Sequence, residues 1–158
     1  FFDSDHPVGN STASNYQDGS SNPWFLLDTR QPIKPLIFQR RRDYQLRQMT
    51  RSDDEQVFMR DEYRYGVDAR VNAGFGLWQL AYGSKADLAA ANYATVYADM
   101  MAMENDEGQP LGVSPNLLVV GPSNRAAALE IVMAERNSSG ATNVNRNSAE
   151  VLVVPWLT

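Results

Sequence analysis

Two short apolar runs near the end of the chain constrain the fold most. Leu117–Val120 reads LLVV and Val151–Val154 reads VLVV. Neither alternates with polar residues, the pattern of strands covered on both faces. Between them Gly121–Pro122 turns the chain and Ser123 is the predicted N-cap of a helix over Asn124–Arg136. Ala127, Ala128, Ile131, Val132 and Glu135 fall on its helical stripe. Asn137–Gly140 ends that helix, and Asn143–Ser148 is a polar loop. Strand, helix, loop and strand in this order predict a crossover within one sheet.

Upstream, Ser84–Met103 is the strongest helical segment, with Ser84 and Asp87 approximating a capping box. Leu88, Ala91, Thr95 and Met100–Met103 lie near one face, and Ala90, Tyr93, Ala94, Tyr97 and Met101 mark another. The helix is therefore expected to pack on two sides, stopping at Asn105–Gly108 before Pro110. Residues 9–23, rich in Gly, Ser and Asn, read as a flexible segment. Trp24–Asp28 is a short apolar run, and Pro32 and Pro35 favour an edge strand or extended arm after it. Leu36–Gln39 continues as strand. Arg40–Glu55 reads as an exposed tip or loop, Glu55–Arg70 as mostly strand, Asn72–Gly76 as a turn, and Leu77–Tyr82 as a strand end. No internal repeat is evident.

At 158 residues the chain can bury a core without staples. Its 43% hydrophobic and 21% charged content is that of an ordinary globular protein. The absence of cysteine excludes disulfides and thiolate metal sites and suits a bacterial cytoplasm. No run of about 18 apolar residues is present, so no membrane span is expected. The opening FFDSDHPVGNS lacks the basic and apolar regions of a signal peptide. The start on two phenylalanines and the finish on VVPWLT suggest a piece of something longer. The net charge of −5 is uneven: Arg30–Arg51 carries seven basic residues against Asp43 alone, or +6, so the remainder sums to −11. Acids gather around Asp87–Glu107 (Asp87, Asp99, Glu104, Asp106, Glu107), with Lys85 as the one nearby base. Such asymmetry predicts opposite-sign surfaces that can meet between copies.

The residue types that carry chemistry are sparse. Asp3, Asp5 and His6 are the one cluster of metal-ligand types, and a metal site would need further ligands and a rigid frame. A turn opening an extended His-Pro segment explains them more simply. His6 is the single histidine and no G-x-S-x-G elbow occurs, which leaves little room for nucleophilic catalysis. The Gly121–Asn124 turn before a helix could hold a phosphate on backbone N–H groups. It lacks both G-x-G-x-x-G and the Walker pattern, and Pro122 removes a donor. Arg40, Arg41 and Arg42 could touch nucleic acid, but neighbouring acids favour protein contacts. Asp61, Glu62 and Asp68 are interleaved with Arg60, Arg64 and Arg70, as ion pairs rather than an acid–base pair would be. Met100, Met101 and Met103 read as core filling. No catalytic residue, metal or cofactor is expected.

Pro23–Ser84 holds two of the three tryptophans and nine of the twelve arginines. Aromatic residues mixed with arginine, without catalytic partners, are what buried protein–protein contacts favour. Within it, WFLLDTRQPIKPLIFQRRR and VFMRDEYRYGVDARVNAGFGLWQLAYGS resemble the Mu-like phage major head subunit family, gpT. The resemblance extends to FFDSDHPV, PLGVSPNLLVV and ATNVNRNSAEVLVVPWL, and so to nearly the whole chain. It implies an α+β capsid protein of the Hong Kong 97 type, of which this would be the C-terminal half. Residues 1–23 would be a polar flexible segment, 24–84 a β-rich part of the peripheral lobe, and 85–158 an α/β part of an axial lobe of mixed sheet and helices. The implied function is a structural subunit that self-assembles into the icosahedral head around double-stranded DNA, without sequence-specific binding. Its partners would be copies of itself, a scaffold and a portal. It would be found in the virion head and, before that, in the host cytoplasm. Some capsids of this fold crosslink through Lys and Asn; with Lys34 and Lys85 as its two lysines, no such reaction is assigned to this chain. The expected subunit contacts are Trp24, Phe25, Phe58, Tyr63, Tyr65 and Trp78, together with Arg40, Arg41, Arg42, Arg60, Arg64 and Arg70. Phe38 and Phe75 would add apolar area. The alternatives are an encapsulin-like compartment shell, which shares the capsid fold, and a phosphate- or nucleotide-binding α/β module built on the 121–124 turn.

Overall fold

The computed structural model of the chain describes residues 1–137 and 139–157. In chain order its strands and helices are β1 (His6–Val8), β2 (Ser11–Ala13), β3 (Tyr16–Gln17), β4 (Trp24–Leu27), β5 (Leu36–Met49), α1 (Glu55–Arg60), β6 (Arg64–Phe75), β7 (Ala81–Ser84), α2 (Ala90–Met101), β8 (Leu117–Val120), α3 (Arg125–Met133) and β9 (Glu150–Val153). Short 3-10 turns cover Trp78–Leu80 and Pro122–Asn124. The chain divides into two compact units, Phe1–Pro35 with Phe75–Thr158, and Leu36–Gly74. This division departs from boundaries at 23 and 84, because strands on both sides of residue 84 share one sheet.

In the larger unit the apolar run Trp24–Leu27 is a central strand. The sheet order is β3-β7-β4-β8-β9. β4 runs antiparallel to both neighbours, with Trp24 opposite Ser84 and Val120, and Leu27 opposite Ala81 and Leu117. β8 and β9 are parallel, Leu117 opposite Glu150 and Val120 opposite Val153, with α3 between them in sequence. The predicted crossover is thus present. β9 is not buried as predicted: Glu150 and Leu152 are exposed, since β9 lies at a sheet edge and β8 is its one partner. β8 is fully buried on one side only, at Leu118 and Val120. Gly83 faces Phe25 across the pair, and a Cβ there would lie 3.1 Å from the Phe2 ring. The missing side chain leaves room for Phe2 to pack on Phe25 at 5.2 Å.

α2 presents Tyr93, Val96 and Met100 to the core, joined by Leu88, Met103, Leu118, Val120, Ala128 and Val132. Its opposite face, with Ala91, Ala94, Thr95 and Ala98, is exposed, so the helix packs on one side and not on two. Alanine favours the helix without needing burial, which the sequence pattern does not reveal. The expected capping box is absent. Ser84 ends β7, where its hydroxyl donates to Gln17 Oε1 (2.8 Å) and accepts from the Ala86 N–H (3.1 Å). Ser123 lies inside the 3-10 turn and does not cap α3. α3 ends at Met133, earlier than predicted, and of the predicted Asn137–Gly140 stop, Ser138 lies outside the described residues. Asn143 closes that end of the helix, its Nδ2 donating to the carbonyls of Ile131 (2.8 Å) and Ala134 (2.9 Å).

Residues 9–23 are not a loose segment. They hold β2, β3 and part of the β1–β2 hairpin, with Asn15 fully buried. Asp5 N–H donates to Asp3 Oδ1 in a turn (3.3 Å), and β1 begins at His6. Among the described residues no group of three or more His, Cys, Asp or Glu side chains could hold a metal. No helix among them is long and apolar enough to cross a membrane.

The smaller unit is a hairpin. The segment expected to be a loop, Arg40–Met49, is strand, so β5 runs 14 residues. The segment expected to be strand, Glu55–Arg60, is the short helix α1. Its sequence EQVFMR has good helix formers, and Asp61 ends it in the left-handed conformation (φ 56°). The predicted turn at Asn72–Gly76 is mostly strand. The tight feature there is Gly76, whose N–H donates to the Pro35 carbonyl (2.9 Å) and whose absent Cβ would strike the Lys34 carbonyl at 2.1 Å.

Candidate assembly surface

β6 reads RYGVDARVNAGF and alternates without a break. Tyr65, Val67, Ala69, Val71, Ala73 and Phe75 take one face, while Arg64, Gly66, Asp68, Arg70, Asn72 and Gly74 take the other. Such alternation specifies a strand with one apolar side to be covered. Yet no residue of Leu36–Gly74 is buried. Tyr65 is 66% exposed, Val67 68% and Phe58, at the tip, 78%. Phe38, Tyr44, Leu46, Met59 and Tyr63 are exposed as well. A lone two-stranded ribbon is marginal in water, and contiguous apolar surface of this kind marks an interaction site.

The arginines of the hairpin are partly tied. Arg42 Nη1 donates to Asp68 Oδ2 across the two strands at 2.6 Å, the tightest ion pair among the described residues. Arg40 meets Asp43 at 3.3 Å and Arg64 meets Glu62 at 3.6 Å. Of the interleaved charges only Glu62 and Arg64 pair with each other; Asp68 turns to Arg42 instead, and among the described residues Asp61, Arg60 and Arg70 are in no ion pair. At such exposure each pair contributes little to stability. The expected contacts Arg40, Arg41, Arg60, Arg64 and Arg70 are exposed, Arg42 half-buried.

Three expected contact residues lie elsewhere. Trp24 is 0% exposed, and its Nε1 donates to the Ala86 carbonyl (2.9 Å), so it belongs to the core and offers no surface. Phe25 is half-buried against Phe2. Trp78 stacks on His6 with centroids 3.9 Å apart and planes 11° apart. Tryptophan residues in an arginine-rich stretch resemble contact residues by composition. The four-residue run WFLL was the available sign that Trp24 belonged inside.

A second surface, lined by none of the expected contact residues, is a groove of about 640 Å³ in the larger unit. Asp99, Glu104 and Asp106 stand along it, with Tyr82, Ser14 and Asn10. Gly9 N–H donates to Asp106 Oδ1 (3.1 Å). The Tyr82 phenol is pushed above its ordinary value, first by burial and then by the Asp99 charge. The clustered acids of the sequence were the signal for it.

The phosphate site considered at the 121–124 turn is closed. Asn22 Nδ2 donates to Ser123 Oγ (2.9 Å), and Asn124 Nδ2 donates to the Asn22 carbonyl (3.1 Å). The backbone of Leu157 lies so close to Gly121 that a Cβ there would be 1.9 Å from its carbonyl oxygen.

Comparison with known proteins gives the family and the fold. Residues 1–157 match the family model described as Mu-like prophage major head subunit gpT. The chain is 37% identical over 157 residues to the Mu-like prophage FluMu major head subunit of Haemophilus influenzae, covering 92% of this chain and 51% of that protein. It is 38% identical over 171 residues to the major capsid protein of Escherichia phage Mu, covering 99% of this chain and 56% of that one. The chain therefore spans about half the length of the curated relatives it matches. Among solved structures, a chain of the bacteriophage JBD30 procapsid superposes with a TM-score of 0.84 at 45% identity, covering 99% of this chain and 56% of its own. A chain of the JBD30 capsid gives 0.88 at 24% identity, a likeness of fold alone, again over 99% of this chain and 55% of its own. The α+β fold is that of phage capsid subunits, as the resemblance implies. Neither the encapsulin nor the phosphate-binding alternative gains support from these findings. With a match running from residue 1 to residue 157, the chain belongs to the family of Mu-like prophage major head subunits, gpT.

Proposed function

We propose that this chain is part of a structural subunit of a phage or prophage head, and that it works by assembly rather than by chemistry. Copies tile an icosahedral shell around double-stranded DNA, without reading its sequence. The observation that carries the reading is the Leu36–Gly74 hairpin: a specified, alternating ribbon with no buried residue of its own, in a chain of the head-subunit family. Phe58, Tyr63 and Tyr65 supply apolar area there, and Arg40, Arg41, Arg42, Arg60, Arg64 and Arg70 supply orientation. Phe25 and Trp78, half-buried in the larger unit, contribute less. The five-stranded mixed sheet with α2 and α3 has the make-up of an axial lobe, and the hairpin belongs to the peripheral part. Scaffold and portal are its further partners, the host cytoplasm its place of assembly, and the virion head its destination.

Light scattering and electron microscopy on the full-length subunit, with and without scaffold and protease, test the reading. Rings, capsomers or closed shells are expected. A monodisperse monomer at high concentration under all these conditions would overturn it.

A further inference from the structure

The two strands of the hairpin carry six arginines (Arg40, Arg41, Arg42, Arg47, Arg64, Arg70) against Asp43 and Asp68. Among the described residues, Arg41, Arg47 and Arg70 have no carboxylate within ion-pair distance. Strand alternation places Arg41 and Arg47 on one face of β5, about 20 Å apart at roughly 3.3 Å per residue, with Gln45 and Asp43, the partner of Arg40, between them. The groove beside α2 has the opposite charge. Asp99, Glu104 and Asp106 are all exposed, and none is in an ion pair among the described residues. Asp99 lies in the last turn of α2, whose C-terminal end adds the negative pole of the helix dipole. Guanidinium groups match carboxylates as forked donors, and complementary patches steer and register protein contacts.

Resting on the head-subunit reading, we propose that the arginine face of β5 in one copy docks on the Asp99–Glu104–Asp106 groove of a second copy. The partner is the chain itself, chosen because one sequence carries both unpaired sets. The two patches differ, so the contact is heterologous, the kind that propagates from copy to copy and closes into rings. It assigns the acidic groove a role that composition leaves open, as receptor for the hairpin of a neighbour.

Charge exchange in the full-length subunit tests this. Arg41→Glu with Arg47→Glu, and separately Asp99→Lys with Glu104→Lys, are each expected to lower the yield of particles at least about tenfold. Combining all four is expected to restore it to within about threefold of wild type. The milder pair Arg41→Gln and Arg47→Gln, confirmed as folded by circular dichroism, is expected to lower yield in the same direction, and raised salt to slow wild-type assembly. Particles formed normally by either reversed pair, or no recovery on combining them, overturn the docking while leaving the head-subunit reading intact. Loss on the arginine side alone assigns those arginines to another polyanion, DNA included, and also overturns it. Failure of wild type to assemble overturns the head-subunit reading itself, and the docking with it.

Discussion

Asn15 ties the N-terminal strands to the sheet through one side chain. Its Nδ2 donates to the carbonyls of Phe1 (2.9 Å), Ala81 (3.1 Å) and Trp78 (3.2 Å). Its Oδ1 accepts from the Asp3 N–H (2.8 Å) and from His6 Nε2 (3.0 Å), which fixes the proton of His6 on Nε2. In sequence Asn15 stands among Gly, Ser and Asn, and nothing local separates a buried hub from a loop residue. Asn15→Ala strands several buried groups at once and should cost about 3 kcal/mol, read by urea unfolding. Tyr93 is a second such point. Ser148 Oγ donates to the Asn145 carbonyl (2.7 Å) and accepts from the Tyr93 hydroxyl (2.7 Å), joining α2 to the loop before β9. Burial raises the Tyr93 phenol above its ordinary 10.0, and the Ser148 hydrogen bond offsets part of that. The folded state keeps this proton to higher pH than the unfolded chain. Its contribution is therefore whole below pH 10 and lost as pH rises past 10 toward the folded value. Tyr93→Phe should cost about 1 kcal/mol at neutral pH and flatten the fall in stability above pH 10, measured by thermal melts across that range.

The hairpin β5–β6 departs furthest from what its sequence suggested. Beyond Gln39, β5 carries Arg40–Arg42, Asp43 and Arg47, and a run so charged reads as a loop when burial is the expected mark of a strand. Its strand character comes from pairing with β6, which begins only after α1, at Arg64. α1 is hidden for the opposite reason: six residues give a helix too little length for a period to show. The β8–α3–β9 crossover was readable, because LLVV, a helical stripe and VLVV need no distant information. Exposure now separates stability from assembly. Tyr65→Ser with Val67→Ser removes apolar area from a face that covers nothing in the chain, so stability should change by no more than about 0.5 kcal/mol per site. Particle yield of the full-length subunit should fall sharply. A large loss of stability in thermal melts would instead place that face inside the subunit's own core.

Taken as one body of sequence, the family was readable from its blocks, WFLLDTRQPIKPLIFQRRR and VFMRDEYRYGVDARVNAGFGLWQLAYGS above all, and the match over residues 1–157 bears this out. The contact residues were less readable. Trp24 and the hairpin aromatics share one composition, and apart from the short run WFLL only burial distinguishes them. In the assembled head the hairpin is expected to be completed by other chains. Hydrogen–deuterium exchange on the full-length subunit, free and assembled, tests it most directly. The account predicts amides of Leu36–Met49 and Arg64–Phe75 that exchange quickly in the free subunit and become strongly protected in particles, while β4, β7 and β8 are protected in both. Particles in which the hairpin amides exchange as fast as in the free subunit would contradict it.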